Sequence, residues 1–256
     1  MSTSAQRFNP LVYNPLGEAC LRVLRRVGAI QRERLTRALM QSLFRGIDFA
    51  GKRVLDIGGG DGVYSFYAAA MGAREVICLE PEAAGSIGGE ISMFDRLRAE
   101  MPELPVKLVR RTVADFRDDE GFDVVAMIAS INHLDEDACT RLPRDRAARE
   151  AYLKAFAHIA ALTRPGGRVV IADATRYNFF AMLGMKNPLC PTIEWHKHQP
   201  PAVWADLLGE VGFVNPRVSW EPLYSLGSAV QALLSNQVAA WFLKSCFLLH
   251  VERPVG

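Results

Sequence analysis

Cysteine pairs, runs of one charge and long apolar stretches are all missing from this chain. Its five cysteines, Cys20, Cys78, Cys139, Cys190 and Cys246, are scattered over 256 residues with no C-x-x-C pair. That spacing argues against a zinc site or a disulfide framework and fits a reducing compartment. The formal net charge is +2, too weak a field to point to nucleic acid or an acidic partner. No run reaches the roughly 18 uninterrupted apolar residues of a spanning helix. Residues 1–14 are polar and lack the apolar core of a signal peptide. Cytoplasmic location is therefore the expectation. There is no internal repeat and no low-complexity tract, and half of the residues are apolar. A single α/β domain with modest extensions follows.

What is present is concentrated in Val54-Leu55-Asp56-Ile57-Gly58-Gly59-Gly60-Asp61-Gly62. An apolar run reads as a buried strand. The glycines after it allow a tight turn and bring bare backbone against a ligand. Residues 63–71 read as a helix leaving that turn. Strand, glycine turn and helix form the cradle that α/β proteins use for nucleoside cofactors. A dinucleotide fingerprint, G-x-G-x-x-G, sets a pyrophosphate on the helix N-terminus. Here the third glycine, Gly62, comes one residue early, and Asp56 precedes the loop. A carboxylate there disfavours a pyrophosphate and favours a cationic ligand. A second strand, residues 74–80, ends in Glu80. It lies about twenty residues past the loop, where a strand-end acid reaches a ribose diol.

The pattern Asp56-x-Gly58-x-Gly60-x-Gly62 resembles the first motif of class I S-adenosylmethionine (SAM) dependent methyltransferases. The resemblance covers roughly residues 50–256. It implies a doubly wound, seven-stranded, mostly parallel sheet of order 3-2-1-4-5-7-6, with helices on both faces and an antiparallel seventh strand. The other strands are expected at 105–113, 122–129, 168–173, 213–220 and 245–252. Helices are expected near 87–100, 146–163, 201–211 and 227–243, the second of them ended by Pro165-Gly166-Gly167. Residues 1–49 read as an arm followed by helices, broken near Gly28, that cap the same domain. Their arginines, Arg22, Arg25, Arg26, Arg32, Arg34 and Arg37, read as solvated. A membrane-surface or nucleic-acid face is the lesser alternative. Pocket-forming insertions are expected at 174–200 and 221–244.

The resemblance implies SAM as cofactor, held by Asp56, Gly58, Gly59, Gly60, Glu80 and Pro81, with Ile128 and Ala129 approaching its methionine portion. Adenine would be read beyond the third strand by the Val113 backbone, the Thr112 hydroxyl or Asp115; as a turn residue Asp115 would have no such role. After the fourth strand come Asn132 and His133. A His at this offset is similar to that of small-molecule O-methyltransferases. It is either the general base for the acceptor's proton or a group packed on the methionine tail. Asn132 either orients the substrate or caps the turn. In the later crossover, Trp195, His196 and His198 are expected to line the acceptor pocket, with Tyr13 from the arm folding over the cofactor. No metal is expected, because Asp135 and Asp173 make a poor ligand set.

The expected activity is methyl transfer from SAM to a small molecule, at oxygen before nitrogen. The apolar residues 179–185 and 226–242 read mainly as core, with a hydrophobic or lipid-linked acceptor as the lesser alternative. A non-catalytic SAM-binding protein is a further alternative. Nucleic-acid methylation is disfavoured: no Asn/Asp-Pro-Pro-aromatic motif follows the fourth strand, and Cys190-Pro191 is reversed and misplaced for a Pro-Cys nucleophile. Oligomeric state is not legible.

Overall fold

The computed structural model describes residues 15–81 and 90–256. Tyr13 and residues 82–89, where the next helix was expected to begin, lie outside the described residues. Seven strands form one sheet: β1 (Arg53–Ile57), β2 (Glu75–Leu79), β3 (Val106–Val109), β4 (Phe122–Ile128), β5 (Thr163–Ala174), β6 (Val214–Trp220) and β7 (Cys246–Glu252). Their order is β3-β2-β1-β4-β5-β7-β6. The first five are parallel to one another, while β7 runs antiparallel to both β5 and β6. This is the order and the antiparallel strand that the resemblance implied.

All five residues of β1 are buried, as expected of a central parallel strand covered on both faces. The helices are α1 (Pro15–Arg26), α2 (Glu33–Leu43), α3 (Val63–Ala70), α4 (Glu90–Glu100), α5 (Glu136–Arg141), α6 (Arg146–Leu162), α7 (Phe179–Met182), α8 (Pro201–Glu210), α9 (Ser228–Leu234) and α10 (Gln237–Phe242). On one face of the sheet, Leu21 and Leu24 of α1 pack with Phe66 of α3, Leu97 of α4 and Val54 of β1. The N-terminal helices thus share the core of the sheet. On the other face, Tyr152 and Phe156 of α6 and Trp204 of α8 pack over Leu55, Val125 and Ile171. Gly28, at φ +84°, separates α1 from α2.

Three boundaries differ from the sequence expectation. Pro165-Gly166-Gly167 does not separate α6 from β5. The strand begins at Thr163, directly after α6, and those residues bulge within it, the register stepping from Phe122–Thr163 to Val124–Arg168. Gly167 has no room for a side chain, since an added Cβ would lie 2.8 Å from the Arg164 carbonyl. Strand β3 stops at Val109, because the chain turns there, the Arg111 amide donating back to the Val109 carbonyl at 3.0 Å. The apolar stretch 227–243 is two short helices, the second capped by Asn236 accepting from the Ala239 amide at 3.0 Å.

Candidate functional site

The glycine turn lies at the carboxyl ends of β1 and β4. Gly58, Gly60 and Gly62 have φ of +67°, +53° and +81°, a region that side chains other than glycine rarely adopt. At Gly58 the space is also taken. A Cβ there would lie 2.6 Å from Cβ of Ser130, whose hydroxyl donates to the Ile57 carbonyl at 2.6 Å. The turn is thereby clamped to the segment after β4. Glu80, half-buried just past β2, accepts from the Gly60 amide at 2.9 Å through Oε2. This places a strand-end carboxylate on the lip of the glycine turn, beside Pro81.

Asp56 sits behind the turn. It is 2% exposed, and Oδ2 accepts from the Ser65 hydroxyl of α3 at 2.7 Å. An added Cβ at Gly59 would lie 2.9 Å from that same Oδ2. Burial is the main reason its carboxyl is pushed up to about 6, with Asp61 and Glu80 adding repulsion. The carboxylate is thus set behind the loop backbone and shielded from open solvent.

Beyond β3, Thr112 donates its hydroxyl to Asp115 Oδ2 at 2.6 Å, and the Asp115 amide bonds back to the Thr112 carbonyl at 3.2 Å. Both side chains close a turn on themselves. Val113 is buried in the core between them.

After β4 the chain is held in an unusual shape. Ala129 is exposed, with φ +53°, and its amide donates to Ala172 of β5 at 2.7 Å. Ile128, the last residue of β4, is half-buried. Residues 131–134 form a 3-10 turn fixed from below by Tyr152, whose hydroxyl lies 3.1 Å from the Ile131 carbonyl and 3.3 Å from that of Asn132. Asn132 is buried, whereas His133 is exposed and contacts Glu136 through Nδ1 at 2.5 Å. That imidazole and Lys197 hold the Glu136 carboxyl below its ordinary range. Asp135 is taken as the cap of α5, accepting from the Ala138 amide at 2.8 Å.

A second imidazole–carboxylate pair lies at the end of β5. Asp173 follows the Ile128–Ala172 register pair and so runs beside Ala129. Its side chain is 2% exposed, and Oδ1 meets Nδ1 of His198 at 2.9 Å. No described residue bonds Nε2 of His198. Residues 195–199 are fastened around this pair. Gln199 donates to the Cys139 carbonyl at 2.5 Å, the Cys139 thiol to the Lys197 carbonyl at 3.2 Å, and Arg176 to the His196 carbonyl at 3.2 Å. Trp195 is half-buried and His196 exposed. The sequence reading placed His198 in the pocket, weighed Asp173 only as a metal ligand and gave no role to Tyr152 or Ser130, none of which carries a local motif. Among the described residues no group of three or more His, Cys, Asp or Glu is placed to hold a metal ion.

Three buried oxygens here lack a hydrogen-bond partner: Asp56 Oδ1, Asn132 Oδ1 and Asp173 Oδ2. Each lies at or just beyond the carboxyl end of β1, β4 or β5. Unsatisfied buried oxygens at such a crevice are what a bound ligand or water satisfies. A bare-backbone turn, acids at the ends of β1 and β2 and no basic side chain on the turn suit a nucleoside cofactor that carries positive charge and no phosphate.

Fold and site together define an α/β protein of the SAM-dependent methyltransferase class. A family model described as a methyltransferase domain matches residues 28–217, and the chain belongs to that family. SAM is its cofactor and methyl transfer its activity. No curated protein matches the chain. Among solved structures, a SAM-dependent methyltransferase from Mesorhizobium loti is 15% identical, with 86% of this chain and 98% of that one covered at a TM-score of 0.56. A phosphoethanolamine N-methyltransferase from Haemonchus contortus, in complex with phosphomonomethylethanolamine and S-adenosylhomocysteine, is 13% identical, with 93% of this chain covered at 0.58. The pyocyanin biosynthetic protein PhzM is 18% identical, with 85% covered at 0.53. The chain spans about half the length of the last two, 57% and 55%. At these identities the likeness is one of fold.

Proposed function

We propose that this methyltransferase methylates a small acceptor at oxygen, with His198 as general base and Asp173 as the group that orients it. The observation that carries this reading is the buried 2.9 Å contact between His198 and Asp173, beside the exposed backbone of Ala129. SAM supplies a methyl group already activated by its sulfonium, so the chain's task is to orient the acceptor and remove its proton. Nε2 of His198 would take the proton of an acceptor hydroxyl as that oxygen gains the methyl group, the donor's methyl–sulfur bond breaking to leave a neutral thioether. Asp173, accepting from Nδ1–H, selects the tautomer in which Nε2 is bare and stabilises the imidazolium that forms. Asn132 and Trp195 are the polar and flat apolar neighbours assigned to orient the acceptor. Gly58, Gly59 and Gly60 are assigned to the cofactor's methionine portion together with Ile128 and Ala129, Glu80 to its ribose, and the Val113 backbone to its adenine. Thr112 and Asp115 bond each other and are assigned to holding the turn that presents it. His133 is the rival base, on the rim and tied to Glu136.

The test has two arms. By calorimetry the protein binds SAM, and Glu80→Ala weakens binding about tenfold or more, as expected for loss of a charged hydrogen-bond acceptor. Absence of SAM binding would sink the reading. A panel of phenol, sugar, carboxylate and amine acceptors, followed by mass, then identifies the acceptor atom. Turnover of amines alone would move the acceptor to nitrogen.

A further inference from the structure

The two insertions that flank the site carry an apolar surface that core packing does not use. Met182, Leu183 and Met185 are 65%, 58% and 55% exposed, and Leu233, Val238 and Phe242 are 74%, 67% and 47% exposed. Neither α7 nor α9 has a buried residue. The two segments form one surface. Phe179 of α7 lies 5.3 Å from the Trp241 ring and 5.1 Å from that of Phe242. The Trp241 indole N–H meets Met182 sulfur at 3.4 Å. The backing is rigid: buried Asn178 donates to the Trp241 and Leu243 carbonyls and to the Ser245 hydroxyl, and buried Asn187 donates to the Leu243 carbonyl at 2.5 Å. An exposed apolar surface on a fixed base marks an interaction site.

Its charges indicate the partner. Residues 177–185 and 222–243 contain no charged side chain; of the charges that border them, Arg176, Lys186 and Lys244 are positive and Glu221, half-buried and facing Lys244, is negative, so the border keeps a cationic excess whose exposed member is Lys186. Lys186 is exposed and makes no ion pair among the described residues. A second copy of this chain would add no negative charge to meet the exposed Lys186 at this border. A lipid surface with negative headgroups matches it, and Trp241 and Tyr177 are residue types that favour the boundary between headgroups and acyl chains. We infer that the α7 and α9–α10 face, led by Met182, Leu183, Leu233 and Val238, seats on an anionic lipid bilayer. The site would then open beside the membrane. The inference does not depend on methyl transfer.

Vesicle flotation tests it without an acceptor. Wild-type protein is expected to float with vesicles of phosphatidylcholine containing phosphatidylglycerol at least fivefold more than with phosphatidylcholine alone. Leu183→Glu with Leu233→Glu is expected to abolish flotation, and Lys186→Glu to halve it or more. All three positions are exposed, so folding should survive, and unchanged SAM binding by calorimetry checks that. Failure of the wild-type protein to float overturns the inference, as does flotation of the double glutamate variant at the wild-type level. Light scattering adds a third outcome: a dimer that the glutamates dissociate would assign the face to a second copy and overturn the lipid assignment.

Discussion

Two imidazoles meet carboxylates at the carboxyl end of the sheet, and they are built in different ways. His133 and Glu136 are three residues apart, on a turn and the start of α5, with side chains 56% and 44% exposed. His198 and Asp173 are twenty-five residues apart and come from the crossover and β5, with side chains 14% and 2% exposed. The first pair is local and solvated, and it is shared with Lys197, which reaches Glu136 at 3.1 Å. Such pairs contribute about 0–1 kcal/mol and weaken in salt. The second pair is fixed by the sheet, by Gln199 and by the Cys139 thiol, and it is shielded from water. A base acts well when its geometry is set before the acceptor arrives, and here only the second pair has that property.

The largest expected effect separates the pairs by kinetics. With any acceptor that turns over, His198→Ala should lower kcat about 10²- to 10⁴-fold, the usual range for loss of a general base. On the proposed assignment, His133→Ala should change it less than about threefold. The reverse order, read from steady-state rates, would exchange the roles. Asp173→Asn should lower kcat in the same direction as His198→Ala while leaving SAM affinity unchanged, because it permits the wrong tautomer.

Stability gives the next contrast. Asp173→Ala leaves His198 and a buried cavity without a partner and should cost about 1–3 kcal/mol in urea unfolding. Glu136→Ala should cost less than about 1 kcal/mol, and the loss should vanish in high salt. The Glu136 carboxyl titrates below its ordinary range, so its small contribution is present at neutral pH and is lost as pH falls through that lowered value. Equal costs for the two variants would remove the distinction drawn between the pairs.

The smallest effect belongs to neither pair and serves as their control. With Asp56 titrating near 6, its charge is present above that pH and attracts a cationic cofactor. SAM affinity should therefore fall as pH drops through about 6, by up to about tenfold for one pKa unit of coupling, and Asp56→Asn should abolish the dependence. The sign for folding is opposite. A carboxyl raised in the folded state opposes folding once ionised, so its penalty shrinks as pH falls from about 6 toward 4. Neither His198→Ala nor His133→Ala should alter this titration.

Much of this fold was legible because its signals are local. The apolar run 54–57, the glycines after it and the acid closing β2 occur at fixed short spacings, and the structure brings Gly60 and Glu80 together at 2.9 Å. The break at Gly28 and the strand expected at 122–129, which ends at Ile128, were legible for the same reason, one from a breaker and the other from an apolar run. Local reading failed where a residue's neighbour is distant in sequence. Asp173 was weighed only as a metal ligand, because its partner lies across an irregular crossover. The Pro165-Gly166-Gly167 stretch read as a stop, since a bulge depends on the opposite strand at Phe122 and Val124. The apolar residues of α7, α9 and α10 read as core, because helical spacing does not say whether anything lies against the face.

By itself, the sequence determined the strand, the glycine turn and the strand-end acid, because these are properties of short segments, and the family resemblance they carry implied the strand order. Only the tertiary structure decided which imidazole is held by a buried carboxylate and which apolar faces stay open. Both depend on chain segments that packing brings together across long separations, and no local spacing encodes those contacts.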